Sequence, residues 1–212
     1  MTDLEDSPGP DTRGEEPTPR RGPLPGAAFH DPYTFDFVKD LEAAHPVILA
    51  EVLALGLDAF VDWPEALSSV RDGYDERGWR FFGLHSTHDR DVERLYDLEA
   101  NRRRCPETSR LCSRIPGMTD AGFSLFLPGT HLWPHQGELQ GLLRCHLAVL
   151  VPNGPQGLEV DGETRPWITG RCLVFDDRFV HEAWNAGDGP RIVLLVTFRR
   201  SFHEPAAPTD EG

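Results

Sequence analysis

Three stretches hold the side chains most able to do chemistry. His131-Leu132-Trp133-Pro134-His135-Gln136-Gly137 comes first and Leu143-Arg144-Cys145-His146-Leu147 second. Phe175-Asp176-Asp177-Arg178-Phe179-Val180-His181-Glu182-Ala183-Trp184 is the third. Imidazoles, an arginine and an apolar frame in this order suit a buried metal ion beside an anion pocket. Neutral imidazole is a ligand for iron, zinc or copper. A guanidinium carried into an apolar interior needs a partner, and a carboxylate ligand supplies one through a charge-assisted bond.

Leu142 to Val151 reads as a strand, so its side chains alternate between two faces. Arg144, His146 and Ala148 share one face, turned to a cavity. Leu143, Cys145, Leu147 and Val149 share the other, an ordinary core face. The competing use of Arg144 is an internal salt bridge to Glu159 or Asp176. Arg191 opens the last strand after Gly187-Asp188-Gly189-Pro190, and a second inward arginine points to a dianionic ligand. His135 falls where a strand ends, and His181 lies in an alternating run after the Asp176-Asp177 turn. His131 and His203 read as ordinary polar residues. An iron site with two histidines and one carboxylate has its carboxylate two residues after the first histidine. Gly137 stands there, and Glu138 would point the other way. A site built on His135 and His181 therefore has two protein ligands and extra open positions.

The elements that must carry these residues follow from periodicity. Helical spacing begins after an Asp31-Pro32 cap, with Phe35, Phe37, Val38, Leu41 and Ala44. Pro46 opens a second helix with Ile48, Val52 and Leu55 on its apolar side and Gly56 as its stop. Trp63-Pro64 starts a short third helix, Gly78 to His85 reads as a strand, and Asp91 to Arg104 reads as a charged helix followed by a loop to about Gly122. From Phe123 onward, short apolar runs (123–127, 142–151, 158–160, 172–175 and 192–198) alternate with Asn-Gly, Asp-Gly and Thr-Gly turns. Strands this close leave no room for crossover helices, so the sheets are antiparallel. The expected fold is mainly β with N-terminal helices: a double-stranded β-helix, or cupin-like jelly roll.

The chain has 212 residues and is 39% hydrophobic, enough for one sizeable domain. Residues 1–26 and 204–212 read as disordered tails, and 27–203 as a single domain with a helical buttress over 31–70 and a jelly-roll core over about 78–200. A formal charge of −14 argues against nucleic acid as a partner and against docking on anionic membranes, although Arg102-Arg103-Arg104 could act locally. No run reaches the length of a membrane span, and the N-terminus lacks a signal-peptide core, so the cytoplasm is the expected compartment. No tight C-x-x-C pair marks a zinc site. Cys145 and Cys172 read as small core residues. Cys105 and Cys112 lie seven apart in a polar loop.

The three stretches, together with Leu127-Pro128-Gly129-Thr130, Trp167-Ile168-Thr169-Gly170 and Asn185, resemble the aspartyl/asparaginyl β-hydroxylases, a branch of the 2-oxoglutarate- and Fe(II)-dependent oxygenases. Trp79-Arg80-Phe81-Phe82 and Cys105 to Cys112 match that family in spacing, and the resemblance spans about residues 35 to 203. It implies that His135 and His181 bind Fe(II) without a carboxylate ligand, as Gly137 suits. It implies that Arg144 and His146 contact 2-oxoglutarate near the metal, with Arg144 serving catalysis, and that Ser124 and Arg191 hold the distal carboxylate. It also implies a Cys105–Cys112 disulfide. His85 and Leu142 depart from animal members, which have a tryptophan and a basic residue there. The helical-repeat region that those members use to grip large substrates is not in this chain. The expected activity is hydroxylation, at a β-carbon, of a free amino acid, an amino-acid residue, a peptide or a carrier-bound aminoacyl group. Three other readings stay open: an iron halogenase with halide at the Gly137 position, a non-catalytic jelly roll binding a dicarboxylate, and a zinc hydrolase using Asp177 or Glu182.

Overall fold

The computed structural model describes residues 26–62, 78–87, 96–137 and 140–203. Two antiparallel sheets face each other. The larger contains β1 (Phe29–His30), β2 (Val61–Asp62), β3 (Trp79–Ser86), β4 (Met118–Phe126), β6 (Leu142–Leu150), β9 (Cys172–Phe175) and β11 (Arg191–Arg199), in the order β1-β9-β6-β11-β4-β3-β2. The smaller contains β5 (Thr130–His135), β7 (Gln156–Val160), β8 (Glu163–Arg165) and β10 (His181–Asn185), in the order β5-β10-β7-β8. From β4 onward successive strands alternate between the sheets, apart from the β7–β8 hairpin within the smaller one, so the chain winds as the expected double-stranded β-helix. β7 and β8 are joined by Asp161-Gly162, both at positive φ (52° and 79°), the conformation a two-residue hairpin turn demands.

The alternation expected of β6 is present. Leu143, Cys145, Leu147 and Val149 join one core cluster with Val38, Leu41, Ile48 and Val52. Ala148 joins a second cluster with Trp79, Phe126, Trp167 and Phe175. The helices α1 (Phe37–Ala43) and α2 (His45–Leu55) therefore cover the outer face of the larger sheet, and the second cluster fills the space between the sheets. Burial of apolar side chains on both faces of one sheet is what makes its strands read as near-continuous hydrophobic runs.

Several boundaries differ from the sequence reading. The Asp31 cap opens a short 3-10 turn over Pro32–Thr34, its Oδ1 accepting from Tyr33 N at 3.0 Å, and α1 begins only at Phe37. Residues 105–122 are not a loop: α3 (Leu98–Arg104) leads into α4 (Pro106–Cys112), and β4 already runs from Met118. The third helix at Trp63-Pro64, residues 91–95 of the charged helix, and nearly all of both proposed tails lie outside the described residues.

Cys105 and Cys112 are free thiols, both fully buried, which corrects the implied disulfide. Cys105 is the residue before α4 and Cys112 its last. Seven residues at 1.5 Å each separate the two Cα atoms by about 10 Å, beyond the roughly 7 Å that a disulfide can span. Burial pushes both thiols up to about 12.

Candidate metal centre and anion pocket

β5 and β10 pair so that His135 and His181 are register partners. Their ring centroids stand 4.1 Å apart, inclined at 53°. His135 Nδ1 lies 2.7 Å from Trp133 O, and His181 Nδ1 lies 2.9 Å from Phe179 O. A carbonyl oxygen only accepts, so each Nδ1 carries the hydrogen and each Nε2 carries the lone pair. A backbone carbonyl that fixes the tautomer in this way is the usual support of a metal-binding histidine. His135 keeps part of its surface open to solvent, yet burial, and then the neighbouring His181, lower its pKa to about 3. Burial foremost lowers that of His181. Both rings are neutral bases near neutral pH.

Arg144 reaches toward this pair from the inner face of β6. Its Nε donates to Asp177 Oδ2 at 2.8 Å and its Nη1 to Thr197 Oγ1 at 2.5 Å. The internal salt bridge expected as the competing use of Arg144 is therefore present, with Asp177 as the partner: Glu159 accepts from Thr164, and Asp176 pairs with Arg178 at 2.6 Å. Gly137 N donates to Asp177 O at 2.7 Å. A Cβ at residue 137 would come within 2.6 Å of the Asp177 carboxylate. Asp177 Oδ1 is buried with no hydrogen-bond partner among the described residues. A carboxylate from the β9–β10 turn thus fills the space left by the missing side chain at 137.

The anion pocket lies deeper between the sheets. Arg191 is 2% exposed. Its guanidinium sits 3.7 Å from the Phe126 ring centroid and 4.4 Å from that of Trp167, an arrangement in which the ring faces offset part of the desolvation. Its hydrogen bond is a long one, Nη1 to Ser124 O at 3.5 Å. Among the described residues it has no carboxylate partner, and its Nε has no acceptor. Burial lowers its pKa to about 9. Trp167 Nε1 and His146 Nδ1 are likewise buried without partners among the described residues. His146 packs near Trp167 and edge-on to Phe175. Burial, then Arg191 and Arg144, hold its pKa well below the usual imidazole range. Ser124 Oγ accepts from Trp79 Nε1 at 3.1 Å, which leaves its own hydrogen to donate.

Buried polar groups are ordinarily satisfied, so unpartnered groups of Arg191, Trp167 and His146 gathered this closely indicate an absent partner. Arg191, Trp167 and Ser124 fit a carboxylate, and the paired Nε2 atoms of His135 and His181 fit a metal ion of the borderline kind. Among the described residues no three His, Cys, Asp or Glu side chains are grouped to hold an ion, so the imidazoles stand as a pair.

Of the residues singled out from the sequence, His135 and His181 meet as a pair, Arg144 is held beside Asp177, and Ser124, His146 and Arg191 lie between the sheets. The sequence reading missed Trp79 and Trp167 as walls and Thr197 as the second partner of Arg144. It gave Asp177 only a zinc-ligand role. Period-two alternation along β3 and β11 could have turned Trp79 and Thr197 inward, whereas Trp167 and Asp177 lie outside the strands, where no alternation assigns a face. His131 pairs with Glu182 at 2.7 Å and stacks on Trp133. His203 packs on Phe35, Phe37 and Phe198. His85 donates through Nε2 to Ser109 O at 3.2 Å, tying β3 to α4.

Fold and site together define a jelly-roll protein with a two-histidine centre and a buried cationic pocket. The family model described as Aspartyl/Asparaginyl beta-hydroxylase matches residues 42–201, and the chain belongs to that family. It is 34% identical over 181 residues to the ornithine lipid ester-linked acyl 2-hydroxylase of Rhizobium tropici, covering 84% of this chain and 62% of that protein. It is 42% identical over 105 residues to human aspartate beta-hydroxylase domain-containing protein 2, covering 45% of this chain and 28% of that one. The chain thus spans less than two thirds of the length of either relative. Among solved structures, a prolyl hydroxylase from Trichoplax adhaerens in complex with a hypoxia inducible factor peptide overlaps at a TM-score of 0.47 and 16% identity, covering 76% of this chain and 80% of that one.

Proposed function

We propose that this protein is an Fe(II)- and 2-oxoglutarate-dependent hydroxylase whose substrate is an acyl or aminoacyl group carried on an amino-acid lipid. The observation that carries the cosubstrate is Arg191, a buried guanidinium without an anionic partner among the described residues, between the same two sheets as the imidazole pair. The lipid substrate is favoured by the relative that matches 84% of the chain over free amino acids and peptides.

When bound, iron and 2-oxoglutarate would supply activation of dioxygen: the oxoacid is oxidised to succinate and carbon dioxide, and one oxygen atom enters a C–H bond of the substrate. The chain's residues do the rest. His135 and His181 would hold the metal through Nε2. Arg191, the Ser124 hydroxyl and Trp167 Nε1 would receive the distal carboxylate. His146 and Arg144 would orient the oxoacid end, with Arg144 itself held by Asp177 and Thr197. The aromatic walls exclude water, which strengthens every one of these charge contacts.

Asp177 bears on the halogenase reading. A halide at the Gly137 position would meet a carboxylate whose own oxygen lacks a donor, and two anions repel most strongly where water is absent. A hydrolytic zinc site gains nothing from Glu182, which is engaged with His131. The test is a product assay with protein purified without oxygen and reloaded with Fe(II). Acylated amino-acid lipids, free amino acids and short peptides are compared for succinate release and a mass gain of one oxygen. Product from the lipid alone is expected. Product from amino acids or peptides alone would overturn the substrate reading, and succinate from none would overturn the hydroxylase itself.

A further inference from the structure

α2 lacks the polar side that a surface helix turns to water. Inward, Ile48 and Val52 are buried. Outward, Val47 and Leu53 are 48% and 64% exposed, and Leu57, just past the helix end, is 40% exposed. Pro46, Ala50 and Ala54 are exposed as well. The single carboxylate in this stretch, Glu51, is turned aside. It accepts from Glu107 N and Thr108 N at 2.8 and 3.0 Å at the start of α4. The outer face of 45–57 is therefore an apolar strip without a free charge.

Cations gather beside it. Residues 98–114, on α3, α4 and the following turn, hold five arginines against two glutamates, in a chain of net charge −14. Arg103, Arg104, Arg110 and Arg114 are exposed, and Arg104 Nη2 reaches Leu55 O at 3.4 Å, at the C-terminal margin of the strip. An uncharged apolar strip bordered by arginine is what a surface lying on an anionic membrane presents. A second copy is a poorer occupant, because a two-fold contact brings two like-charged clusters to one interface. No helix among the described residues is long and apolar enough to cross a membrane, so contact would be peripheral.

We propose that the outer face of α2, flanked by the α3–α4 arginines, docks the protein on the surface of a bilayer containing anionic phospholipid. The choice of partner rests on the lipid-substrate reading above, and the test separates the two. Full-length protein is sedimented with phosphatidylcholine vesicles with and without phosphatidylglycerol, lipids that are not its substrate. Binding is expected only with the anionic lipid and should weaken in high salt. Leu53→Glu should weaken it at least about tenfold, and the double variant Arg103→Glu/Arg104→Glu by about as much or more. Unchanged circular dichroism and melting certify the variants' fold. Failure of the wild type to sediment overturns docking, as does wild-type binding by both variants. Concentration-dependent dimerisation abolished by Leu53→Glu, without vesicle binding, assigns the strip to a second copy and also overturns it. Hydroxylation of lipid in detergent micelles without vesicle binding refutes docking and leaves the substrate reading standing. Vesicle binding without lipid hydroxylation does the reverse.

Discussion

Arg191 is charged, out of water, and held by two ring faces and one long hydrogen bond. Such a group is destabilising until an anion arrives. Arg191→Met is therefore expected to leave the ligand-free protein no less stable, and up to about 1 kcal/mol more so. In the wild type, 2-oxoglutarate at about a hundredfold over its Kd should add roughly 2.7 kcal/mol, and in the variant nothing. Thermal melts with and without the oxoacid check both, and a ligand-induced shift surviving in the variant would remove Arg191 from the pocket. The imidazoles make a second prediction. His135, His146 and His181 all have pKa values depressed in the folded state, so between 6.5 and lower pH the unfolded chain binds more protons. Their contribution is present above pH 6.5 and is lost as pH falls toward about 3, the value of His135. Each contributes up to about 1.4 kcal/mol per pH unit across that interval. Urea titrations of metal-free protein at about pH 7.5 and about pH 5.5 should show the loss, and a flat profile would contradict the buried neutral pair.

At the level of elements, α4 keeps Cys105 and Cys112 at opposite ends of a rigid spacer. Thiol counting after denaturation should return four free cysteines, and a reductant should leave the melting temperature unchanged. A fall in melting temperature on reduction would show a bridge after all. Glu51 ties α2 to α4 by accepting from two backbone N–H groups and the Thr108 hydroxyl. Glu51→Ala should lower stability by about 1 kcal/mol, the loss typical of a helix-capping side chain. The strands of the barrel were legible because β6 and β11 alternate cleanly and Asp161-Gly162 is an unambiguous turn. β5 was legible only at its end, where His135 falls, since Trp133-Pro134 breaks its alternation, and α4 was hidden by the polar run from Glu107 to Ser109. The pairing of β5 with β10, which brings the imidazoles of His135 and His181 together, joins residues 46 apart in the chain, and no local pattern encodes that register.

For the molecule as a whole, the two sheets divide the labour. The larger sheet presents Arg144, His146, Ser124 and Arg191 inward and carries the helices on its back. The smaller presents His135 and His181. The site residues were readable as chemical types before their positions were known, because an arginine and a histidine two apart on an apolar strand demand a partner. Their complement was not readable: Asp177, Trp79 and Trp167 matter through packing that only the closed barrel creates. A net charge of −14 describes the chain's average, while the cations gathered along α3 and α4 define a local surface of opposite sign. High salt should therefore weaken any contact made there while leaving the charge contacts around Arg191 largely intact, since buried charges are screened far less.

The close fit of Gly137 against Asp177 constrains any redesign toward a conventional triad of two histidines and an acid. Gly137→Asp alone would press a new side chain into an existing carboxylate and be expected to displace the chain beside His135. Room for an acid at 137 should require the paired exchange Gly137→Asp with Asp177→Gly, which moves the acid from one loop to the other.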